Sequence, residues 1–283
     1  MKDRLQIDLS KARFKNFKSV FEKLEKALIE AEIDFYVLGA LARDMQFSVE
    51  HIDTRTTADV DLAVYINSRE DDKYKSLRNN LVLNYDFRET KNNNFALISP
   101  EGVTIDLLPF GEIEIQDGVR FEGEGLLNIK VNGFKEVHLK GLQEVISDNE
   151  VTFKVANLSS IVLLKLIAFD DRPEWRTNDP GDIASIIANY FDLNADNIYE
   201  NHNDLFETDQ VELTDIAAQV IGREINIVLK ENEKLHERVI HIIENHISKA
   251  EKSPFILGMI GDFCEQIDTA VLWMKTILQG INE

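Results

Sequence analysis

Aspartates occur at three points of the sequence that a sheet would bring together. Asp59 and Asp61 lie two residues apart in the segment 58–66, and Asp106 lies in the run 104–108. Alternate residues of a strand share one face, so Asp59 and Asp61 would project from the same side. Like charges that close raise each other's pKa unless a cation lies between them. Mg²⁺ takes oxygen ligands and keeps positions open for phosphates, so the pattern predicts a Mg²⁺ or Mn²⁺ site formed by all three.

A pair of aspartates two residues apart is common, and an exposed strand face explains it without a metal. Two further features favour a functional site. Gly39 and Ala40 follow a predicted strand at 34–38, and Asp106 lies between apolar neighbours, where an ionised carboxylate is costly unless it is paired or metal-bound. Such a site can activate an attacking hydroxyl and neutralise charge on a transferring phosphoryl or nucleotidyl group.

Lys165 lies in the apolar helical stretch 161–169. An uncompensated ammonium is unfavourable there. The side chain either extends to the surface or reaches carboxylates or phosphates that satisfy its charge. Arg43, Arg172 and Arg176 are further candidates for phosphate contacts, with ordinary surface arginines as the alternative.

Other common sites are not supported by the sequence. His236, His241 and His246 are spaced five apart, which turns each about 140° around a helix and prevents shared metal ligation. No G-x-x-x-x-G-K-[ST] motif exists, so a P-loop enzyme is not supported. Cys264 is the one cysteine, so the chain forms no internal disulfide, and packing is its expected role.

Two stretches of the sequence resemble the DNA polymerase β-like nucleotidyltransferases. Residues 38–43 (Leu-Gly-Ala-Leu-Ala-Arg) and 55–62 (Arg-Thr-Thr-Ala-Asp-Val-Asp-Leu) resemble the signature of a Gly-Gly or Gly-Ser turn, a spacer and a D-x-D strand. The form with Arg55, Thr57, Asp59 and Asp61 is similar to the abortive-infection nucleotidyltransferase toxins (AbiEii-like). A later segment, 163–183, resembles that family's helix with an inward lysine, then an arginine and a D-x-x-D helix start. The resemblance covers roughly residues 33–190.

The resemblance implies a metal-dependent transfer of a nucleotidyl group from an NTP to an acceptor. Asp59 and Asp61 would hold metal and triphosphate, and Asp106 would be a metal ligand that helps to activate the nucleophile. Lys165 would bind triphosphate, and Asp182 would orient that lysine or the acceptor. The expected nucleotide contacts are Gly39, Ala40, Arg43, Thr57, Lys165 and Arg172. Thr57 also has an ordinary explanation at the start of a strand, and Asp179 before Pro180 is expected to cap a helix.

The sequence departs from the family pattern at three places. Ala40 stands where the superfamily usually has Gly or Ser, and the spacer between Gly39 and Asp59 is long. Asn178 stands where a basic residue often precedes D-x-x-D. We therefore expect the turn to work without a hydroxyl, an insertion over the site, and a second motif that differs in detail.

The acceptor and the partners are open at the level of sequence. By resemblance to the toxins, the acceptor would be RNA, such as a tRNA end, or a protein side chain, with a cognate antitoxin as partner. The alternatives are a nucleotidyltransferase for a small molecule such as an aminoglycoside, and a non-catalytic protein that uses the same fold for nucleotide binding or protein contacts.

Charge and hydropathy set further bounds. The 283 residues include 31 Lys and Arg against 51 Asp and Glu, a net charge of −20. This charge argues against a surface that is basic overall, the usual property of nucleic-acid binders, but it does not exclude a local basic patch; a cationic substrate suits the acidic surface better than tRNA. The N-terminal residues lack the apolar region of a signal peptide, and no apolar run approaches membrane-spanning length. We expect a cytoplasmic protein without membrane contact.

The periodicity of apolar residues predicts an α+β fold. Helices are expected at 11–32 and 69–80, and strands at 34–38, 58–66, 95–98, 103–108, 112–116, 119–122 and 134–139. From residue 157 onward the spacing is helical, with helices at 158–167, 181–191, 212–230, 233–250 and 256–279. We predict a small mixed sheet flanked by helices, the nucleotidyltransferase fold, over residues 1–155. A C-terminal helical bundle over 156–283 is expected to complete the active-site cleft.

Overall fold

The computed structural model describes residues 4–8, 15–50, 52, 59–69, 72–115, 118–121, 128–148, 152–206 and 212–283. The chain divides into two compact units. The sheet unit comprises Met1–His138 and Leu142–Asn157, and the helical unit comprises Leu139–Gly141 and Leu158–Glu283. Each unit is described by itself.

Eight strands of the sheet unit form one mixed sheet in the order β1-β9-β10-β2-β3-β6-β5-β4, and β7 and β8 form a separate antiparallel pair. The strands are β1 (Leu5–Ile7), β2 (Phe35–Leu38), β3 (Asp59–Ile66), β4 (Arg88–Glu89), β5 (Ala96–Ile98), β6 (Thr104–Gly111), β7 (Gly118–Arg120), β8 (Asn128–Lys130), β9 (Leu142–Ser147) and β10 (Thr152–Ala156). The helices before residue 142 are α1 (Lys15–Glu30), α2 (Gly39–Phe47), α3 (Asp72–Asn84) and α4 (Phe134–Lys140).

The two longest strands, β3 and β6, lie side by side at the centre of the sheet. They pair in parallel over eight residues, and β2 pairs antiparallel with the other edge of β3. Val60, Leu62 and Val64 are fully buried on one face of β3, while the acidic residues alternate with them. This alternation fixes the register, because a slip by one residue would bury the aspartates and expose the apolar side chains.

Two amphipathic helices contribute to the core of the sheet unit. α1 buries Val20, Phe21 and Leu24, whose spacing of three and four matches the helical period. α3 buries Tyr74, and the Tyr74 hydroxyl donates a hydrogen bond to the Leu107 carbonyl oxygen of β6 at 2.8 Å. Burial raises the pKa of Tyr74, so its hydroxyl stays protonated and anchors α3 to the central strands.

The helical unit contains α5 (Leu158–Asp171), α6 (Asp179–Asn201), α7 (Leu213–Leu229), α8 (Glu233–Lys249), α9 (Pro254–Met259) and α10 (Ile267–Ile281). α5 is buried along most of its length and packs against α6, α7 and α8. α7 and α10 approach closely because Gly222 and Gly280 face each other's helix, where any Cβ would collide with backbone. In the described part of the chain, no helix is long and apolar enough to span a membrane.

The α+β class, with a mixed sheet followed by helices, is confirmed, and the sheet is larger than expected. The prediction of a strand at 134–139 is wrong. These residues form α4, because Phe134 and Val137 are the buried positions and their spacing of three fits a helical turn. Residues 112–115 form a turn and an isolated bridge instead of a strand. The apolar stretch 256–279 is divided into α9 and α10 by a turn at Gly261 and Cys264.

Candidate functional site

The register of β3 and β6 places two carboxylates side by side. Asp61 is the direct neighbour of Asp106, and Asp59 is the neighbour of Thr104. Asp61 and Asp106 are partly buried and Asp59 is exposed, in contrast to the buried residues that alternate with them. The three aspartates therefore share one face of the sheet, with Asp61 and Asp106 as its closest acidic pair.

Gly39 holds the Asp61 carboxylate against the start of α2. Leu38 at the end of β2 pairs with Asp61, and Gly39 follows as the first residue of α2 with φ +70°. A Cβ on Gly39 would collide with Asp61 Oδ2. Glycine is required there both for the left-handed backbone conformation and for this close approach. The N-terminus of a helix also attracts anions through its free backbone N–H groups, so phosphate oxygens could bind beside the carboxylates.

The other predicted nucleotide contacts of the sheet unit differ in position. Ala40 is the second residue of α2 and is partly exposed. Arg43 is buried on α2, and its Nε and Nη2 donate to Asp44 Oδ1 at 3.0 and 2.8 Å. The expectation that Arg43 contacts phosphate stays a prediction. Thr57, together with Arg55, lies outside the described residues.

Asn93 is a site residue that the sequence analysis missed. Its Nδ2 donates to Asp106 Oδ1 at 3.3 Å, and its own Oδ1 accepts a hydrogen bond from the Phe95 backbone N–H at 2.9 Å. The second bond fixes the amide so that its donor side faces the carboxylate. The signal was the Asn-rich turn just before β5, whose Ala96 pairs with Asp106.

The donor chemistry of the acidic face fits magnesium. Across the described residues, no three His, Cys, Asp or Glu side chains are grouped so that they could hold a metal by themselves. Mg²⁺ usually binds proteins through one or two carboxylates together with substrate phosphates. Asp61 and Asp106 provide such a pair, and the close packing of Asp61 on Gly39 keeps one of them in place. Asp59 as a third ligand stays a prediction.

Lys165 of α5 is bound by two carboxylates of the helical unit. Its Nζ donates to Asp179 Oδ1 at 2.7 Å and to Asp182 Oδ2 at 2.8 Å. The three side chains are only 12%, 7% and 15% exposed. Lys165 therefore does not extend freely into solvent, and its charge is neutralised near the start of α6.

Asp179 was expected to cap a helix, but it is the first residue of α6 and pairs with Lys165. Asn178 is the residue before α6, and its side chain makes no capping hydrogen bond, while the Asp179 carboxylate turns to Lys165. Asp179 Oδ2 is buried and has no hydrogen-bond partner within the described residues. Two carboxylates face one ammonium in this cluster, so it carries an excess of one negative charge beside Lys165.

The loop between α5 and α6 carries Arg172, Trp175 and Arg176, of which Trp175 is 79% exposed. At the end of α5, the Nη2 group of Arg238 from α8 donates hydrogen bonds to Asp170 Oδ2 at 2.8 Å and to Asp171 Oδ1 at 2.9 Å. Burial tends to lower the pKa of Arg238, but these hydrogen bonds outweigh it and raise the pKa, so the guanidinium stays charged.

Charges in this region nearly balance, with a slight acidic excess. Residues 165–182 together with Arg238 contain four cations and five carboxylates, a net charge of −1. The cations are Lys165, Arg172, Arg176 and Arg238, and the carboxylates are Asp170, Asp171, Glu174, Asp179 and Asp182. The region is therefore not a basic patch.

The comparisons with known proteins give a distant likeness. No protein-family model matches the chain, and no curated protein sequence matches it. Among solved structures, the chain is similar to the antibiotic-resistance factor ANT(2'')-Ia, whose solution structure is described as revealing substrate-regulated conformation dynamics. The similarity covers 81% of this chain and 97% of that chain, with 10% sequence identity and a TM-score of 0.35. At these values it carries no argument about activity.

The contact between Gly39 and Asp61 can be tested with a second glycine as a matched control. Gly102 also has a positive φ, +83°, but no described atom lies within 4 Å of where its Cβ would be. Gly102→Ala should cost about 1–2 kcal/mol in the free energy of unfolding from backbone strain alone. Gly39→Ala should cost at least about 1 kcal/mol more because its Cβ displaces Asp61. Urea denaturation measures both, and in an Asp61→Ala background the extra cost should disappear. Equal costs for the two glycine variants would contradict the contact.

Removal of the Lys165 ammonium should destabilise the helical unit. Lys165→Met leaves two largely buried carboxylates without their cation, at a cost of about 3 kcal/mol in the free energy of unfolding. Lys230→Met at an exposed position should change stability by less than about 0.5 kcal/mol. Adding Asp179→Asn and Asp182→Asn to Lys165→Met should restore part of the loss. Circular dichroism during urea unfolding measures each step, and equal stability of the two lysine variants would show that the ion cluster contributes nothing.

Proposed function

We propose that the protein transfers a nucleotidyl group from an NTP to an acceptor in the presence of Mg²⁺ or Mn²⁺. The observation that carries this proposal is the position of Asp61 and Asp106. They are neighbours on parallel strands, and Gly39 seats Asp61 at the N-terminus of α2. Two carboxylates for a cation and a helix N-terminus for phosphate oxygens are the parts that binding of a metal–triphosphate needs.

The residues of the sheet unit divide the chemistry between them. The backbone at Gly39 and Ala40 would bind phosphate oxygens, while Asp59 and Asp61 would hold the metal and position the triphosphate. Asp106 would be a further metal ligand beside Asp61 and would take the proton of the attacking hydroxyl, and Asn93 would hold its carboxylate in place. The acceptor oxygen forms a bond to the α-phosphorus, the bond from that phosphorus to the bridging oxygen breaks, and pyrophosphate leaves. A bound divalent cation neutralises the charge that develops during this displacement.

Lys165, Asp182 and Arg172 belong to the helical unit, and their part in the reaction rests on the sequence resemblance. We propose that Lys165 binds phosphate and that Asp182 orients it, since Asp182 already accepts a hydrogen bond from Lys165. Asp179 shares that role, because it holds the same ammonium at 2.7 Å.

For the acceptor, the charges favour a cationic or neutral group over RNA. The loop cations are balanced by carboxylates, and the whole chain carries −20, so a polyanion would meet net repulsion. A basic small molecule, such as an aminoglycoside, or a protein side chain fits this balance better than a tRNA end. If the acceptor is a component of the cell that makes the protein, a neutralising partner such as an antitoxin is expected.

The proposal is tested by following a label from each of the four NTPs. Purified protein, Mg²⁺ and α-labelled NTP are incubated with total RNA, total protein or an aminoglycoside, and the destination of the label is scored. Asp61→Asn and Asp106→Asn should each reduce transfer about 10²-fold or more, because each removes a charge that binds the metal. The control Glu112→Gln removes an exposed carboxylate just after β6 and should leave the rate unchanged. No transfer by the wild type to any acceptor, or full activity of either aspartate variant, would contradict the proposal.

A further inference from the structure

An open groove of about 690 Å³ lies at the junction of α9 and α10 in the helical unit. Its apolar surface comes from Leu257, Ile260 and Ile267, and its acidic rim from Glu251, Glu265 and Asp268. No cation is among the described residues that line it. The groove therefore combines apolar contact area with charge of a single sign.

Three apolar side chains at or next to this groove are exposed. Leu257 is 48% exposed and Ile260 is 36% exposed, and Phe263 on the adjoining turn is 44% exposed. Leu257 and Ile260 line the groove together, and apolar side chains exposed at a groove are favourable contacts for a partner. Aromatic and aliphatic side chains surrounded by polar groups are typical of the central contacts of protein interfaces.

The turn that presents these residues is well defined by local bonds. Gly261 and Cys264 exchange backbone hydrogen bonds, with N···O distances of 2.9 Å and 3.3 Å. Cys264 is buried, and Ser253 Oγ caps the start of α9 by accepting a hydrogen bond from the Ile256 N–H. The groove is thus a formed surface, and binding would require little ordering of its backbone.

We propose that this groove docks a basic amphipathic segment of a protein partner. Leucine-like side chains of the segment would contact Leu257, Ile260 and Phe263, and its lysines or arginines would face Glu251, Glu265 and Asp268. The charge complementarity selects this occupant, since an acidic or strongly anionic partner would be repelled by the rim. The proposal does not depend on nucleotidyl transfer.

The helix α9, which lines part of the groove, also packs against α6. A Cβ on Gly258 would lie 3.1 Å from Pro180, and a Cβ on Gly181 would lie 3.5 Å from the Gly258 carbonyl oxygen, so α9 packs directly on the start of α6. Asp179 and Asp182 lie on either side of Pro180 and Gly181, and both accept hydrogen bonds from Lys165. A docked segment would contact α9, the helix that packs on the turn with both carboxylates. An effect of docking on transfer rests on the proposed function, whereas docking itself does not.

The test uses a labelled peptide of about 18 residues with leucines at i, i+3, i+4 and i+7 and lysines elsewhere. Fluorescence anisotropy measures its binding to the full chain. Leu257→Ser with Phe263→Ser should weaken binding about tenfold or more, and the matched control Ile227→Ser, at an exposed isoleucine of α7, should leave it unchanged. Thermal unfolding checks that each variant is folded.

Charge is tested in the same way. Glu265→Gln with Asp268→Asn should weaken binding several-fold and reduce its salt dependence. Asp196→Asn with Glu200→Gln removes two exposed charges of α6 and should have little effect, which separates the groove from the general acidity of the protein. A peptide with glutamate in place of each lysine should not bind.

Three results would overturn the proposal. Equal binding by wild type and the groove variants would place the peptide elsewhere, and equal binding of the glutamate peptide would remove the role of charge. Binding of lipid vesicles that the groove variants lose, without peptide binding, would make the groove a lipid surface instead. If the wild type transfers no nucleotide but binds the peptide at the groove, the proposed function fails and the docking surface stands.

Discussion

The arrangement of the sheet unit depends on one constraint, the parallel register of β3 and β6. That register sets Asp61 beside Asp106 over a pairing of eight residues, and the buried valines and leucines of β3 make a slip costly. Ionised carboxylates at adjacent positions repel each other, which favours the binding of a cation between them. Gly39 adds the second condition, because only a residue without Cβ lets Asp61 lie against the start of α2.

In the helical unit the corresponding interaction is between Lys165 and two carboxylates. An ammonium on an apolar helix has to be paired, and the turn into α6 supplies Asp179 and Asp182 within 2.8 Å. The result is a buried cluster with an excess of one negative charge. It gives the start of α6 a fixed geometry, and α9 packs on the same turn through Gly258.

The central strand and the candidate site residues could be predicted from the sequence where the spacing of apolar residues and the residue types indicate the same element. The alternation of aspartates with apolar residues predicted β3 and the shared face of Asp59 and Asp61, and the apolar stretch around Lys165 indicated that its charge needs a partner. Sequence alone did not identify the partner, because pairing depends on how the chain turns after α5.

The helix at 134–140 was missed because its short apolar pattern fits both the helical and the strand period. Asn93 was missed because its role comes from the register of β5 with β6, which is not visible locally. The sequence also did not predict the buried ion pair of Arg43 with Asp44, because adjacent residues of opposite charge are common and do not indicate burial.

The central claim is that Asp61 and Asp106, placed by the β3–β6 register, bind a divalent cation together with a nucleoside triphosphate. The most direct measurement is calorimetric titration of the wild-type protein with α,β-methylene analogues of the four nucleoside triphosphates, which cannot transfer their nucleotidyl group. With Mg²⁺ present, we expect at least one analogue to bind with a Kd of about 1 mM or tighter. When EDTA replaces the metal, its affinity should fall about tenfold or more, because the carboxylates then repel the phosphates. Binding that is equally tight without metal, or no binding of any analogue, would contradict the account.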